Sequence, residues 1–269
     1  MRQRNGYRDD VLHAQRENPQ LELSGLRRKR DKNGQWRGGA RDGAGRPKHD
    51  GKAGRPRRKA ELHVVRPKLR ASDPVHVVMR AHRDVGSLRK HEMYRAIREA
   101  IIVSFLRETF RVVHFSIQRS HIHMIVEAKD RMALARGMQG FGISAAKHIN
   151  AAITSRTGER RRGTVFTDRY HAVILNSPRQ VRNTLNYVLN NWHHHGERRE
   201  QLRHPWKIDP YSSALVFDGW KERADKGTMF RAPGFNGPIV WLPKTWLLRV
   251  GWRRHGLISV DEVPGAGAE

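Results

Sequence analysis

The chain contains no cysteine among its 269 residues. This absence excludes disulfide bonds, thiolate nucleophiles and cysteine-ligated zinc, and it leaves His, Asp, Glu, Asn and Gln as candidate metal ligands. Long apolar runs are missing too, because no stretch reaches the roughly 18 apolar residues that a membrane-spanning helix needs. The polar N-terminus also lacks the apolar segment of a signal peptide. We therefore expect a cytoplasmic protein that has no membrane partner.

Acidic residues are scarce relative to basic ones, with 26 Asp and Glu against 53 Lys and Arg and a net charge of +27. Such an excess attracts polyanions, so nucleic acid is the expected partner. Residues 1–60 alone hold 18 Lys and Arg against 7 Asp and Glu, with few periodic apolar positions. We therefore predict that residues 1–72 form a basic, largely disordered DNA-binding tail.

Two Gly-Arg-Pro repeats in this tail resemble the AT-hook, a peptide whose arginines enter the minor groove of A·T-rich DNA. The candidate DNA contacts in and beside the repeats are Arg46, Arg55 and Arg57. A merely solvated basic linker would still bind phosphates without sequence preference. Both interpretations predict DNA binding by the tail.

The stretch from Val113 to Glu127 predicts a β-hairpin that turns at Arg119-Ser120. Pairing Gln118 with His121 puts an apolar set on one face: Val113, Phe115, Ile117, Ile122, Met124 and Val126. The opposite face then carries His114, Ser116, Gln118, His121 and His123. Two imidazoles at i and i+2 on a strand can share one divalent cation. The chain has sixteen His, so a chance His-x-His pair is the alternative.

A helix is predicted to begin at Pro178, with Ser177 as its N-cap. Its apolar stripe consists of Val181, Leu185, Val188 and Trp192. Tyr187 and Asn191 lie one turn apart and are predicted to point together, away from that stripe. The remaining predicted elements are a strand at 74–80, helices near 87–110 and 132–153, and a strand at 169–175. This order predicts an α+β fold, an antiparallel sheet carrying helices on one side.

Several segments, taken in order, resemble the single-tyrosine HUH (IS200-like) transposases, most closely the REP-associated tyrosine transposases. They are Pro74-Val75-His76-Val77 with Arg80, His121-Ile122-His123, Gly163-Thr164-Val165-Phe166 followed by Arg169-Tyr170, and Tyr187-Val188 with Asn191. The resemblance covers about 74–215 and implies the HUH fold, which is ferredoxin-like or RRM-like. It predicts a catalytic domain at 73–215 and leaves 216–269 as an appendage of unknown role. Within that appendage, the Trp-rich stretch 241–252 is either core or a DNA-contacting or dimerising surface.

The resemblance implies that Tyr187 is the nucleophile and that His121, His123 and Asn191 hold Mg²⁺ or Mn²⁺. Tyr170 is the less favoured nucleophile. Further DNA contacts are expected from the basic loop and the strand after it, at Arg160, Arg161, Arg162 and Arg169. The implied reaction is cleavage and rejoining of single-stranded DNA beside hairpins through a 5′-phosphotyrosine, by a nucleoid-associated protein.

A homodimer is compatible with the family but is not required by it. Two other functions stay open, namely a domesticated DNA-binding protein without chemistry and a metal-dependent nuclease that uses water.

Overall fold

The computed structural model of the chain describes residues 67–194, 208–222 and 239–265. Strands β1 (Val75–Arg80), β2 (Phe110–Ile117), β3 (His121–Ala128) and β4 (His171–Ile174) form a sheet in the order β2-β3-β1-β4. All neighbouring strands are antiparallel. The helices are α1 (His91–Ser104), α2 (Arg131–Thr157), α3 (Pro178–His194) and a short α4 (Trp246–Arg249). The predicted α+β fold with an antiparallel sheet is confirmed.

The β2–β3 hairpin has the predicted pairing close to its turn. Ser116 lies opposite His123, and the Gln118 backbone N–H donates to the His121 carbonyl at 2.9 Å. A bulge between Val112 and His114 then shifts the register. Val113 therefore leaves the predicted apolar face and is buried with Ile125 on the other side. The prediction for Val113 was wrong because a bulge adds a residue that strict alternation does not count.

Helices cover both faces of the sheet, so the prediction of helices on one side was wrong. One face buries an apolar cluster with α1 and α2 that includes Phe115, Met124 and Leu134. The other face, which carries the histidines, packs Val113 and Ile125 against α3 and C-terminal residues. The alternation within the hairpin predicted one apolar face. It could not predict the cover of the second face, because that cover comes from distant parts of the chain.

Helix α2 crosses β2 at very close range. A Cβ built on Gly137 would lie 2.2 Å from Phe110 Cγ, so only glycine fits at this crossing. The helix ends at Gly158, whose φ of 75° is left-handed, and the Gly158 N–H donates to the Thr154 carbonyl. No helix in the described part of the chain has the length and apolar character needed to cross a bilayer.

Helix α3 begins as predicted, since Ser177 Oγ accepts from the Gln180 N–H at 3.3 Å. Its apolar stripe is buried as expected, but so is every residue from Thr184 to Trp192. The C-terminal segment, residues 246–262, supplies the additional cover through Trp252, Ile258 and Val260. The core interpretation of the Trp-rich stretch is thus confirmed for Leu247, Leu248 and Trp252, whereas Trp246 remains 48% exposed.

Candidate active site

Helix α3 lays Tyr187 on the histidine-bearing face of the sheet. The Tyr187 ring meets the His123 ring edge-on, with centroids 5.2 Å apart and planes at 88°. The His76 ring lies at 5.9 Å and 76° from the same tyrosine. Tyr187, which was predicted to point away from the apolar stripe of α3, is only 8% exposed and is therefore buried as well. It packs because both sides of α3 are covered.

Strand β3 carries the predicted imidazole pair. His121 is half-buried at the start of the strand, and His123 is buried two residues later. Their ring centroids are 4.6 Å apart with planes at 83°. This separation is what same-face positions on one strand provide. The two rings therefore lie side by side, and Tyr187 contacts the inner one.

A third imidazole, from β1, joins His123. His76 Nε2 lies 3.1 Å from His123 Nδ1, and the two rings are nearly parallel, with planes 18° apart and centroids 5.3 Å apart. Burial, together with a smaller contribution from nearby His171, lowers the pKa of His76 to about 4. His76 is consequently neutral near pH 7. The sequence motif indicated only that a histidine stands on β1, and its contact with His123 needed the strand order.

Asn191 lies one helical turn after Tyr187 and is fully buried. Within the described residues, neither its Oδ1 nor its Nδ2 has a hydrogen-bond partner. An unsatisfied buried polar group costs about 1–3 kcal/mol, so such groups usually take a ligand or water. Gln118 Oε1 is likewise buried without a partner in this part of the chain, while Gln118 Nε2 donates to Ser116 Oγ at 2.7 Å.

The predicted metal ligands are His121, His123 and Asn191. The described residues contain no group of three or more His, Asp or Glu side chains arranged to hold a metal ion. The predicted ligand set is not such a group, because it combines two imidazoles with an amide oxygen. A buried amide oxygen with no partner among the described residues suits a hard cation such as Mg²⁺, which prefers oxygen ligands. The donor set therefore fits the expected ion.

His114 is occupied elsewhere. Its Nδ1 lies 3.2 Å from Ser213 Oγ, and its ring meets Phe217 edge-on. Burial lowers the pKa of His114 to about 4, with Asp218 exerting a weaker opposite effect. This histidine anchors residues 213–217 to β2.

A buried ion pair that the sequence did not reveal supports the hairpin turn before His121. The Arg89 guanidinium binds both carboxylate oxygens of Asp209 at 3.0 Å and also donates to the Ile117 carbonyl. The Leu88 N–H donates to the Arg119 carbonyl at 2.8 Å. The partners are 120 residues apart in sequence, so no local signal could have paired them.

The arginines predicted to contact DNA differ in how the structure places them. Arg160, Arg162 and Arg169 are exposed. Arg161 is half-buried and bonded to Asn150 Oδ1 and, at 3.1 Å, to the Thr164 carbonyl, so it holds its own loop. The three tail residues Arg46, Arg55 and Arg57 lie outside the described residues.

The alternative nucleophile, Tyr170, is placed differently from Tyr187. It is half-buried against the apolar cluster formed with α1 and α2. The rings that contact Tyr187, His76 and His123, belong to the opposite face of the sheet. Of the two candidate tyrosines, Tyr187 is the one that lies with the imidazoles.

Comparison with known proteins gives a family match. The model of the family described as "Transposase IS200 like" matches residues 72–191, which span β1 to Asn191. No curated protein is significantly similar to the chain in sequence.

Two solved structures of low similarity were also found. A REP-associated tyrosine transposase bound to a REP hairpin has 14% identity and a TM-score of 0.38, with 51% of this chain and 75% of that chain covered. A protein from Deinococcus radiodurans R1 that is assigned to the transposases has 12% identity and a TM-score of 0.32, with coverage of 44% and 87%. Residues 72–191, which make up less than half of the chain, are therefore similar to the IS200-like transposase family.

Proposed function

We propose that this protein is a transposase that cuts and rejoins single-stranded DNA with Tyr187 as its nucleophile. The observation that carries the proposal is the packing of the Tyr187 ring against His123, at 5.2 Å, inside the IS200-like domain. A phenol beside a histidine pair combines a nucleophile with the ligands for a phosphate-binding cation. Neither a passive DNA-binding protein nor a nuclease that uses water needs this tyrosine.

His121, His123 and Asn191 would hold Mg²⁺ or Mn²⁺. Two imidazoles come from the sheet and the amide comes from α3, so the ligand set ties the nucleophile helix to the sheet. The bound ion would supply Lewis-acid stabilisation of the charge that builds on the phosphate in the transition state. The buried Asn191 amide, which has no partner among the described residues, supports its inclusion.

In the proposed step, Tyr187 Oη forms a bond to the scissile phosphorus while the bond from phosphorus to O3′ breaks. The phenol proton ends on O3′, directly or through water, and the leaving strand carries a free 3′-hydroxyl. Tyrosine phenols in model peptides have a pKa near 10, so the reaction needs a site that favours the ionised form. The 5′-phosphotyrosine conserves the phosphodiester bond, and a 3′-hydroxyl can therefore reverse the step without ATP.

The charge of the chain supports the substrate class. A net charge of +27 favours a polyanion, and Arg160, Arg162 and Arg169 are exposed in the loop between α2 and β4. We propose hairpin-adjacent single-stranded sites because the motifs resemble those of the REP-associated family. Tail contacts through Arg46, Arg55 and Arg57, a homodimer and a place on the cytoplasmic nucleoid belong to the same proposal.

The test incubates the full chain with a single-stranded hairpin DNA and Mn²⁺, followed by denaturing electrophoresis. A label at the 3′ end should migrate with the protein, and a label at the 5′ end should appear in a shorter free strand. Tyr187→Phe should abolish the adduct, whereas the matched control Tyr170→Phe should retain it. Free product that survives Tyr187→Phe would mean a nuclease, and an uncut strand with wild type would mean a DNA-binding protein.

A further inference from the structure

His76 has no part in the proposed chemistry, yet it is buried in the centre of the site. It is 7% exposed, and its Nε2 lies 3.1 Å from His123 Nδ1. The strand register explains the contact, because Val78 lies opposite His123 and His76 stands two residues away on the same face of β1. His76 is not arranged as a third ligand, since no three His, Asp or Glu side chains in the described residues could hold one ion.

One hydrogen is shared between the two ring nitrogens, and its position determines what His123 can do. If His76 Nε2 carries the hydrogen, neutral His123 accepts at Nδ1 and must be protonated at Nε2. His123 Nε2 then has no lone pair for a metal ion. If His123 Nδ1 carries the hydrogen and donates it to His76, the lone pair of His123 Nε2 is available. Only the second arrangement is compatible with His123 as a ligand through Nε2.

We propose that His76 is a positioning residue that accepts a hydrogen bond from His123 Nδ1–H, which fixes the tautomer and ring orientation in which Nε2 faces the metal ion. The inference rests on the proposed function, because it requires His123 to be a metal ligand. Metal-bound histidines usually donate their second ring N–H to a neighbouring acceptor, and loss of that acceptor weakens metal binding. Here a second imidazole takes the place of the usual carboxylate or carbonyl.

A second ring contact agrees with this role. The His76 ring also meets Tyr187 edge-on at 5.9 Å. It therefore supports the metal ligand and the nucleophile together.

The experiment measures Mn²⁺ affinity and the tautomer of His123 in the full chain, without DNA. His76→Phe keeps a ring but removes the acceptor, and His76→Gln retains an acceptor near the position of Nε2. We expect Mn²⁺ affinity to fall about 10- to 100-fold in His76→Phe and to be largely restored in His76→Gln. Nitrogen-15 NMR of labelled histidines should show His123 protonated at Nδ1 in the wild type, with Nε2–H gaining population in His76→Phe.

His123→Ala separates this inference from the proposed function. If His123→Ala loses Mn²⁺ binding and His76→Phe does not, the role of His76 is overturned while the metal site stands. If wild type and His123→Ala bind Mn²⁺ equally, the proposed metal site itself fails. A wild-type His123 protonated at Nε2 would overturn the inference even if the His76 variants did not fold.

Discussion

Glu262 holds the helix that carries Tyr187, and we expect Glu262→Ala to loosen that helix. Its carboxylate accepts from both terminal nitrogens of Arg182, with one contact at 2.7 Å, and from Asn186 Nδ2 at 2.9 Å. Two further α3 side chains bond to the same segment, Asn190 to the Ser259 carbonyl and His193 to the Val260 carbonyl. These four α3 residues form one polar stripe along the helix. The Glu262 carboxylate binds two of them, Arg182 and Asn186.

The expected magnitude follows from the burial of this ion pair. Hydrogen bonds to charged groups are each worth about 1.5–3 kcal/mol when shielded, while exposed ion pairs contribute about 0–1 kcal/mol. The Arg182 and Glu262 side chains are 16% and 27% exposed, so water replaces part of the lost interaction. We expect Glu262→Ala to lower the free energy of unfolding by about 2 kcal/mol in total. For a domain of this size, that corresponds to a fall in Tm of about 4–8 °C.

The assay is thermal unfolding followed by a double-mutant cycle with Arg182→Met, which keeps the aliphatic stem. We expect a coupling free energy of about 1–2 kcal/mol between the two positions. Glu99→Ala is the control, because Glu99 is half-exposed in its pair with Arg98 at 3.5 Å. It should change the stability by less than about 1 kcal/mol. Adduct formation should slow in Glu262→Ala, since the loosened helix carries the nucleophile.

The reasoning would be refuted by a Glu262→Ala protein as stable as the Glu99→Ala control. A coupling free energy near zero between Arg182 and Glu262 would refute it as well. In either case, the Arg182–Glu262 ion pair would contribute little to holding α3.

Three further predictions concern packing, pH and salt. Gly137→Ala should destabilise the fold by about 1–3 kcal/mol because its Cβ would overlap the Phe110 ring. A Cβ built on Gly142 would lie 3.4 Å from its nearest neighbour, Met79 Cε, so Gly142→Ala should stabilise the fold by up to about 1 kcal/mol in urea unfolding. Equal changes in stability for the two glycine variants would contradict the close crossing of α2 and β2. Between pH 6 and pH 5 the free energy of unfolding should fall by about 2 kcal/mol, because the unfolded imidazoles take up protons there. Folded His76 and His114, whose pKa values burial lowers to about 4, do not take up protons in that range. His114→Gln should remove about half of this loss of stability between pH 6 and pH 5. An unchanged loss would contradict the assignment of His114 as one of the two buried histidines responsible. DNA affinity should fall steeply with salt, and a flat response in a binding titration would contradict the role of the basic residues.

Local patterns in the sequence determined much of the site. The alternation of apolar and polar residues predicted the hairpin and its pairing of Gln118 with His121, which the structure confirms. The N-cap at Ser177 and the stripe through Leu185 predicted the start and the buried side of α3. These predictions succeeded because strand alternation, helical period and capping depend on neighbours within a few residues.

Contacts between distant parts of the chain were decided by the tertiary structure. Tyr187 is buried because α3 packs it on the sheet against His76 and His123. His76 meets His123 because β1 lies beside β3, although these two histidines are 47 positions apart. The bulge at Val113 likewise depends on how β2 fits its neighbours. Such contacts require two separate segments to fold against each other, and no periodicity within either segment encodes its partner. The sequence therefore determined the reactive groups and their local spacing, whereas the packing of α3 between the sheet and the C-terminal segment brought the phenol to the imidazoles.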